Sequence, residues 1–138
     1  MFHINMVSVV IPAVVAFILG FLFHGPISGK LWMRLADIHP TGNEKLKDMI
    51  PQMLWNLLSN LVTAYGLVVV YVFATSSPYV VPGIRGGMGC GLLVWLTFLV
   101  TSSSIEVIWM KRKTSLWVFE SVCSLIVMLA MGAIIAYF

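Results

Sequence analysis

The sequence predicts an all-α membrane protein: a bundle of four transmembrane helices with a short cytoplasmic interfacial helix after the first span. Three observations carry this. The 138 residues are 60% hydrophobic and 9% charged, where a soluble domain carries roughly 25% charged residues; too few polar side chains exist to cover a water-facing surface. The mean hydropathy is +1.01. Several apolar runs approach the ~20 residues needed to cross a ~30 Å hydrocarbon layer, in which only helices and closed barrels satisfy their own backbone. A single domain, 1–138, holds the four spans, at about 4–24, 51–74, 86–110 and 115–138.

The first run, Ile4 to Phe23, has no ionised side chain and ends at His24-Gly25-Pro26. It is too long for a signal-peptide core and lacks a basic leading region and a small-residue cleavage pattern, so it reads as a retained helix, with Pro12 a point for a kink. Ile27, Leu31, Leu35 and Ile38 then recur at helical spacing opposite Lys30, Arg34 and Asp37, the pattern of an interfacial helix that stops before Pro40. Thr41-Gly42-Asn43-Glu44 has capping-box spacing and offers an early start to the next helix. The second span, Pro51 to Ala74, tolerates Pro51 near its beginning or is kinked there. A turn-rich loop, Thr75 to Pro82, leads to the third span, Gly86 to Met110; the fourth runs from Ser115 to Phe138. Only Lys111-Arg112-Lys113 and their immediate neighbours separate these two, which calls for a tight antiparallel hairpin.

Orientation follows from the basic residues. Lys30, Arg34, Lys45, Lys47, Lys111, Arg112 and Lys113 fall on one side of the four-helix layout and Arg85 on the other. The positive-inside rule puts the seven in the cytoplasm and both termini on the non-cytoplasmic side of a bacterial inner membrane or its equivalent. Trp32, Trp55, Trp109 and Trp117 flank the basic side, while Tyr79 and Tyr137 sit near the other, as aromatic belts do.

Small residues recur every four positions at Gly83, Gly87 and Gly91, at Ala16 and Gly20, and at Gly132 and Ala136. Such spacing removes side chains from one helix face and lets a neighbouring backbone approach. Counted from the basic turn at ~1.5 Å per residue, Gly91 and Gly132 meet at one level, ~29 Å up the hairpin. On the same ruler Cys90 stands ~30 Å and Cys123 ~15 Å from the turn, too far apart to form a disulfide with each other.

Polar residues inside the runs form the candidate site. Glu106 lies ~8 Å before the basic turn and Glu120 ~10 Å after it, at nearly one depth. Gln52, Asn56, Asn60 and Thr63 make a polar stripe on the second span, and His24 ends the first span nearby. Read functionally, this layer is a proton or cation site, because neighbouring carboxylates repel and one is driven towards protonation. Read structurally, each Glu reaches the Lys111 to Lys113 cluster or an amide such as Asn56, and the short distance to the basic turn favours this second reading.

The stretch Gly20-Phe21-Leu22-Phe23-His24-Gly25-Pro26, continuing through Gly29-Lys30-Leu31-Trp32-Met33-Arg34, resembles a first-helix signature of the four-helix membrane family called domain of unknown function 1761, found in bacteria and fungi. Thr101-Ser102-Ser103-Ser104-Ile105-Glu106 leading into Lys111-Arg112 is similar to it too, as is Met131-Gly132-Ala133-Ile134. The resemblance spans nearly the whole chain and implies a fold and a location. The family pattern carries asparagine where this chain has Glu106 and Glu120, and histidine where it has Ser124, so no chemistry carries over at these positions.

Other function classes find little support. The net charge of +3 is explained by membrane orientation, and no basic stripe or reading motif points to nucleic acid. The glycines from Gly83 to Gly91 lack the Gly-Lys-Ser/Thr ending of a phosphate loop. Ser102, Ser103 and Ser104 have no base at helical spacing; His3 and His39 read as solvated interfacial residues. Neither CxxC, a His/Cys cluster nor Met-x-x-Met suggests a metal. The expectation is thus a protein that is not an enzyme and needs no cofactor or metal: a packing or accessory component of a homo-oligomer or larger membrane complex, with the lipid bilayer as its other partner. The alternative is a small oligomeric proton- or cation-linked transporter or channel using Glu106 and Glu120.

Overall fold

A computed structural model of the protein describes residues 4–43 and 45–138. It is all-helical among the described residues: α1 (Val7–His24), α2 (Gly29–Leu35), α3 (Leu46–Thr75), α4 (Ile84–Trp109) and α5 (Thr114–Tyr137). Four of these, all but α2, are long and apolar enough to cross a membrane. The chain is a multi-pass, four-span helical bundle with one short helix after the first span, as the hydropathy pattern predicts.

The boundaries differ where local chemistry intervenes. α3 begins at Leu46, so Pro51 lies inside it and leaves one carbonyl of the first turns without its usual donor. Lys45 stands at the helix start without a capping side chain. Of the expected capping box, Glu44 lies outside the described residues, as does His3. α2 ends when Asp37 takes a left-handed φ of 55°, and the Ile38 N–H folds back onto the Met33 carbonyl at 2.9 Å.

Around the bundle, α4 packs on α5, α5 on α1, α1 on α3, and α3 closes back on α4. The core is concentrated at one end. Val9, Ala13 and Ala16 of α1, Ala64, Leu67 and Val68 of α3, Cys90 of α4, and Met128, Met131 and Ile135 of α5 form one buried cluster, all in the half nearest the termini. Small residues explain this. A Cβ on Gly87 would stand 2.1 Å from the Gly132 carbonyl oxygen and 2.7 Å from the Ala136 methyl, and one on Gly91 would stand 2.4 Å from the Met128 carbonyl oxygen. The α4 and α5 backbones touch there, which only glycine permits. Towards the basic turn larger and polar side chains take over, and only Leu116 and Cys123 are buried hydrophobics there among the described residues.

The hairpin register corrects the level pairing of Gly91 with Gly132: Gly87 faces Gly132, and Gly91 faces Met128. The pivot lies earlier than the middle of the basic triplet. The chain reverses at Lys111, with φ of 52°, while the Met110 and Arg112 N–H groups both close on the Glu106 carbonyl, at 3.1 and 3.2 Å. Lys113 is already extended, with ψ of 125°. Extended residues climb ~3.3 Å each instead of ~1.5 Å, which carries α5 higher than a uniform helical ruler allows. Two other small-residue assignments also change. Gly83 is outside the seam: it starts α4 with φ of 116°, and its amide donates to the Tyr71 hydroxyl at 2.9 Å. Gly20 packs on nothing, since a Cβ there would meet no atom within 4 Å, although Ala16 one turn earlier is buried.

Within α4, Trp95–Val100 form a wide π turn. Hydroxyls bond to carbonyls in and around it, among them Thr97 to Leu93 at 2.7 Å, Thr101 to Thr97, Ser102 to Phe98, and Ser103 to Val100 at 3.2 Å. Side chains competing for the helix ladder in this way widen or bend a helix. The Trp95 indole anchors the segment across the hairpin, its Nε1–H shared between the Ser121 carbonyl and Ser124 Oγ, both at 3.0 Å.

Candidate functional site

The basic turn organises the first part of the site. Arg112 stands in the hairpin between the C-terminal end of α4 and the first turns of α5. One of its guanidinium nitrogens donates to Glu106, the other to Glu120 at 2.8 Å. Planar guanidinium suits such double duty, because its fork presents several donors in fixed directions. Side-chain exposure is 30% for Arg112, 44% for Glu106 and 29% for Glu120. One cation therefore serves two carboxylates, leaving the trio with a formal charge of minus one.

Beyond Arg112, the carboxylates part. Glu120 lines a cavity of about 240 Å³ that also touches His24, Asn56, Asn60, Thr63 and Ser124. α1, α3 and α5 thus contribute polar groups to one space. Glu106 lines none of it and stays on the Arg112 side, so the layer expected from all four spans is built without α4's carboxylate. A second cavity, about 280 Å³, continues on the other side of Glu120 among Ser102, Ser103, Trp117 and Ser121. Here the Trp117 indole donates to Ser103 Oγ at 2.9 Å, while Ser102, Ser103 and Ser104 donate to their own helix backbone.

The amide stripe of α3 is partly self-satisfied. Asn60 Nδ2 donates to Asn56 Oδ1 at 2.9 Å, which leaves the Asn56 amide nitrogen and the Asn60 amide oxygen without partners among the described residues. Asn56 does not reach either Glu. Thr63 and Ser59 donate to carbonyls one turn back. His24 Nδ1–H donates to the Gly20 carbonyl at 2.9 Å, and the ring meets Trp32 edge-on at 5.2 Å and Phe119 at 6.4 Å. This pins the ring and makes Nε2 the acceptor of the neutral imidazole.

His24, Gly20 and Asn56 also border a third cavity of about 530 Å³, walled by Phe17, Phe21, Trp32, Met49 and Met53. A further cavity, about 820 Å³, is at the opposite end of the bundle around Tyr79, Gly83 and Arg85, away from the polar layer.

Among the topology-setting residues, Lys113 reaches Asp37 at the end of α2, joining the first and last connections. This ion pair holds the exposed Asp37 carboxyl below its ordinary range, through the hydrogen bond from Lys113 and then its charge. Lys30, Arg34, Lys45, Lys47 and Lys111 make no ion pair among the described residues. Cys90 and Cys123 are both free thiols. Among the described residues no three His, Cys, Asp or Glu side chains group to hold a metal.

Two contributors were not singled out from sequence as part of the site. Trp117 reads there as a belt aromatic and Trp95 is given no role, yet both donate to serines across the hairpin. The signal was a tryptophan on one arm facing serine on the other, readable only once the register is known.

The family described as Protein of unknown function (DUF1761) matches residues 7–136. The chain belongs to that family. No curated protein and no solved structure matches it.

Proposed function

We propose that this member of the family is a non-catalytic membrane component that works through assembly, as a homo-oligomer or as an accessory part of a larger membrane complex. The observation that carries this reading is the outer face of α4. Of its apolar 18-residue window only 6% is buried within the fold, against 28% for α1 and for α5. Thr97 and Thr101 are exposed on it. Small hydroxyl side chains on a spanning helix favour contact with another helix over contact with lipid. The pairing of both carboxylates with Arg112 supports the same reading, since it gives Glu106 and Glu120 a structural task.

In this proposal the seven basic residues lie in the cytoplasm and both termini on the other side of a bacterial inner membrane or its equivalent. The test is purification from membranes in mild detergent, with mass spectrometry of whatever accompanies the chain. In parallel, Thr97→Cys is oxidised in membranes, in a background with Cys90 and Cys123 replaced by alanine. A crosslinked dimer or a stoichiometric partner is the expected result; a monomer with neither overturns the proposal.

A second reading rests on a separate observation: Glu120 borders two polar cavities, of about 240 and 280 Å³. A transporter or channel for protons or cations would use Glu120 as its central group, with Glu106 sharing Arg112. Flux from liposomes carrying the purified chain, lost in Glu120→Gln, would favour this reading over the first.

A further inference from the structure

The cavity of about 820 Å³ nearest the termini is a trough between α3 and α4. Its α4 side is Gly86, Gly89, Cys90 and Leu93, which follow one helix face, and its α3 side is Val70 and Ala74. Leu93 stands eight residues after Arg85, ~12 Å along the helix, close to the ~15 Å that half of a ~30 Å hydrocarbon layer measures. Gly89 and Leu93 are exposed, so the trough opens on a surface that a spanning helix presents to lipid. Its side-chain polar groups are the Tyr79 hydroxyl, the Cys90 thiol and the Arg85 guanidinium, of which only the last is a permanent charge.

Arg85 decides which amphiphile fits. Along residues 4–23, 49–105 and 121–138, which contain the half of the bundle nearest the termini, it is the one acidic or basic side chain. It is exposed and makes no ion pair among the described residues, and Phe138 at the end of α5 does not line the trough. These stretches hold no carboxylate side chain that could neutralise it.

The start of α4 sharpens the mismatch. Arg85 is the second residue of that helix, whose first turn has no acidic residue and no side-chain cap. A full positive charge there adds to the positive end of the helix dipole, an unfavourable arrangement unless an anion lies beside it. A lipid phosphate is such an anion, and a guanidinium fork matches it with two parallel donors. A zwitterionic head brings its own cation to the same place, which favours a head with net negative charge.

From these we infer that the trough holds an acyl chain of an anionic phospholipid, drawn from the leaflet at the termini end, with its phosphate on Arg85 and its chain running along Gly89, Cys90 and Leu93 towards Val70. The trough opens to the bilayer, so the bilayer is the source.

The test uses the full chain in phosphatidylcholine bilayers that contain a trace of phosphatidylglycerol or phosphatidylcholine with a diazirine on the acyl chain. Irradiation and mass spectrometry map the adducts, which separates this trough from the basic residues at the other end of the bundle. Adducts on residues 70–74 and 80–93 are expected about 5-fold more from phosphatidylglycerol, the worth of one basic residue near an anionic headgroup. Arg85→Gln brings that yield down to the phosphatidylcholine level, and Arg85→Lys keeps most of the difference. Gly89→Leu, at a position where a Cβ meets nothing within 4 Å, fills the trough and lowers the yield from both lipids. Equal yields from the two lipids in the unaltered chain overturn the inference, however the variants fold. So do a preference that survives Arg85→Gln, a yield unchanged in Gly89→Leu, and a trough without adducts because another helix fills it. Loss of the preference in inorganic phosphate but not in chloride of equal ionic strength overturns it too, since the site is then one for a free anion.

Discussion

Replacing Gly87 with alanine adds a single methyl group where two helix backbones touch. The new carbon stands 2.1 Å from the Gly132 carbonyl oxygen and 2.7 Å from the Ala136 methyl, whereas ordinary contact begins near 3.4 Å. No flexible side chain can swing away, because the main obstacle is backbone. α4 and α5 must separate, and the contact at Gly91, where a Cβ would be 2.4 Å from the Met128 oxygen, loosens with it. Overpacking costs about 1 to 3 kcal/mol, and with rigid groups on both sides the upper part of that range applies: ~2 to 3 kcal/mol, roughly 30- to 150-fold in the folded fraction. Gly89→Ala is the control. It lies two residues away on the same helix, and its methyl would meet nothing within 4 Å. The helix-propensity gain of up to ~1 kcal/mol that alanine gives in water shrinks where the unfolded chain keeps its helices in detergent. Gly89→Ala is therefore neutral or slightly stabilising. Reversible unfolding in mixed micelles of increasing dodecyl sulfate content, followed by tryptophan fluorescence, measures both. Equal stability of the two variants would refute the close approach of α4 and α5.

Four further outcomes follow from the same geometry. Arg112→Gln leaves two carboxylates facing each other without a cation and costs ~1 to 3 kcal/mol, below the loss for a fully buried pair because all three groups are partly exposed. Glu106→Gln, which keeps the Arg112–Glu120 pair, costs under ~1 kcal/mol in the same unfolding assay, and equal losses would contradict a shared guanidinium. Trp95→Phe removes the indole N–H that Ser121 and Ser124 share, for a loss of ~1 kcal/mol; no loss would mean that the bond across the hairpin is not made. The Asp37 carboxyl, read by carbon NMR titration, has its midpoint below the ordinary 3.8 and rises towards it in Lys113→Met. Because the folded value is the lower one, the Lys113–Asp37 contribution is fully present above the unfolded value and disappears as pH falls through the folded one.

Much of the fold was legible because bilayer physics leaves few solutions. An apolar run such as Val7 to Phe23 without an ionised residue forms a spanning helix whatever its neighbours do. The α2 segment announced itself by opposing Ile27 and Leu31 to Lys30 and Arg34. Ends and register were less readable, since they depend on a few backbone angles. Lys111 turning left-handed and Lys113 extending shift the hairpin pairing by a full helical turn, and neither residue type signals this in advance.

The site divides along the same line. That Arg112 could reach both Glu106 and Glu120 was accessible from depth alone, because the three sit within a few helical turns of one hairpin. That Glu120 but not Glu106 faces His24, Asn56 and Asn60 was not, because depth says nothing about azimuth around a helix. Azimuth in this bundle follows from where backbones touch. Gly87, Gly91 and Gly132 draw α4 onto α5 in the half nearest the termini, and Ala13, Ala16 and Ala64 tighten the same half. At the other end the helices carry larger and polar side chains, among them His24, Phe23, Asn60 and Leu99, and a cavity lies among these. A spacing pattern identifies small residues but not their partners, so Gly20 and Gly87 look alike in sequence. In the fold they do opposite things: one closes a helix pair and the other leaves a cleft open.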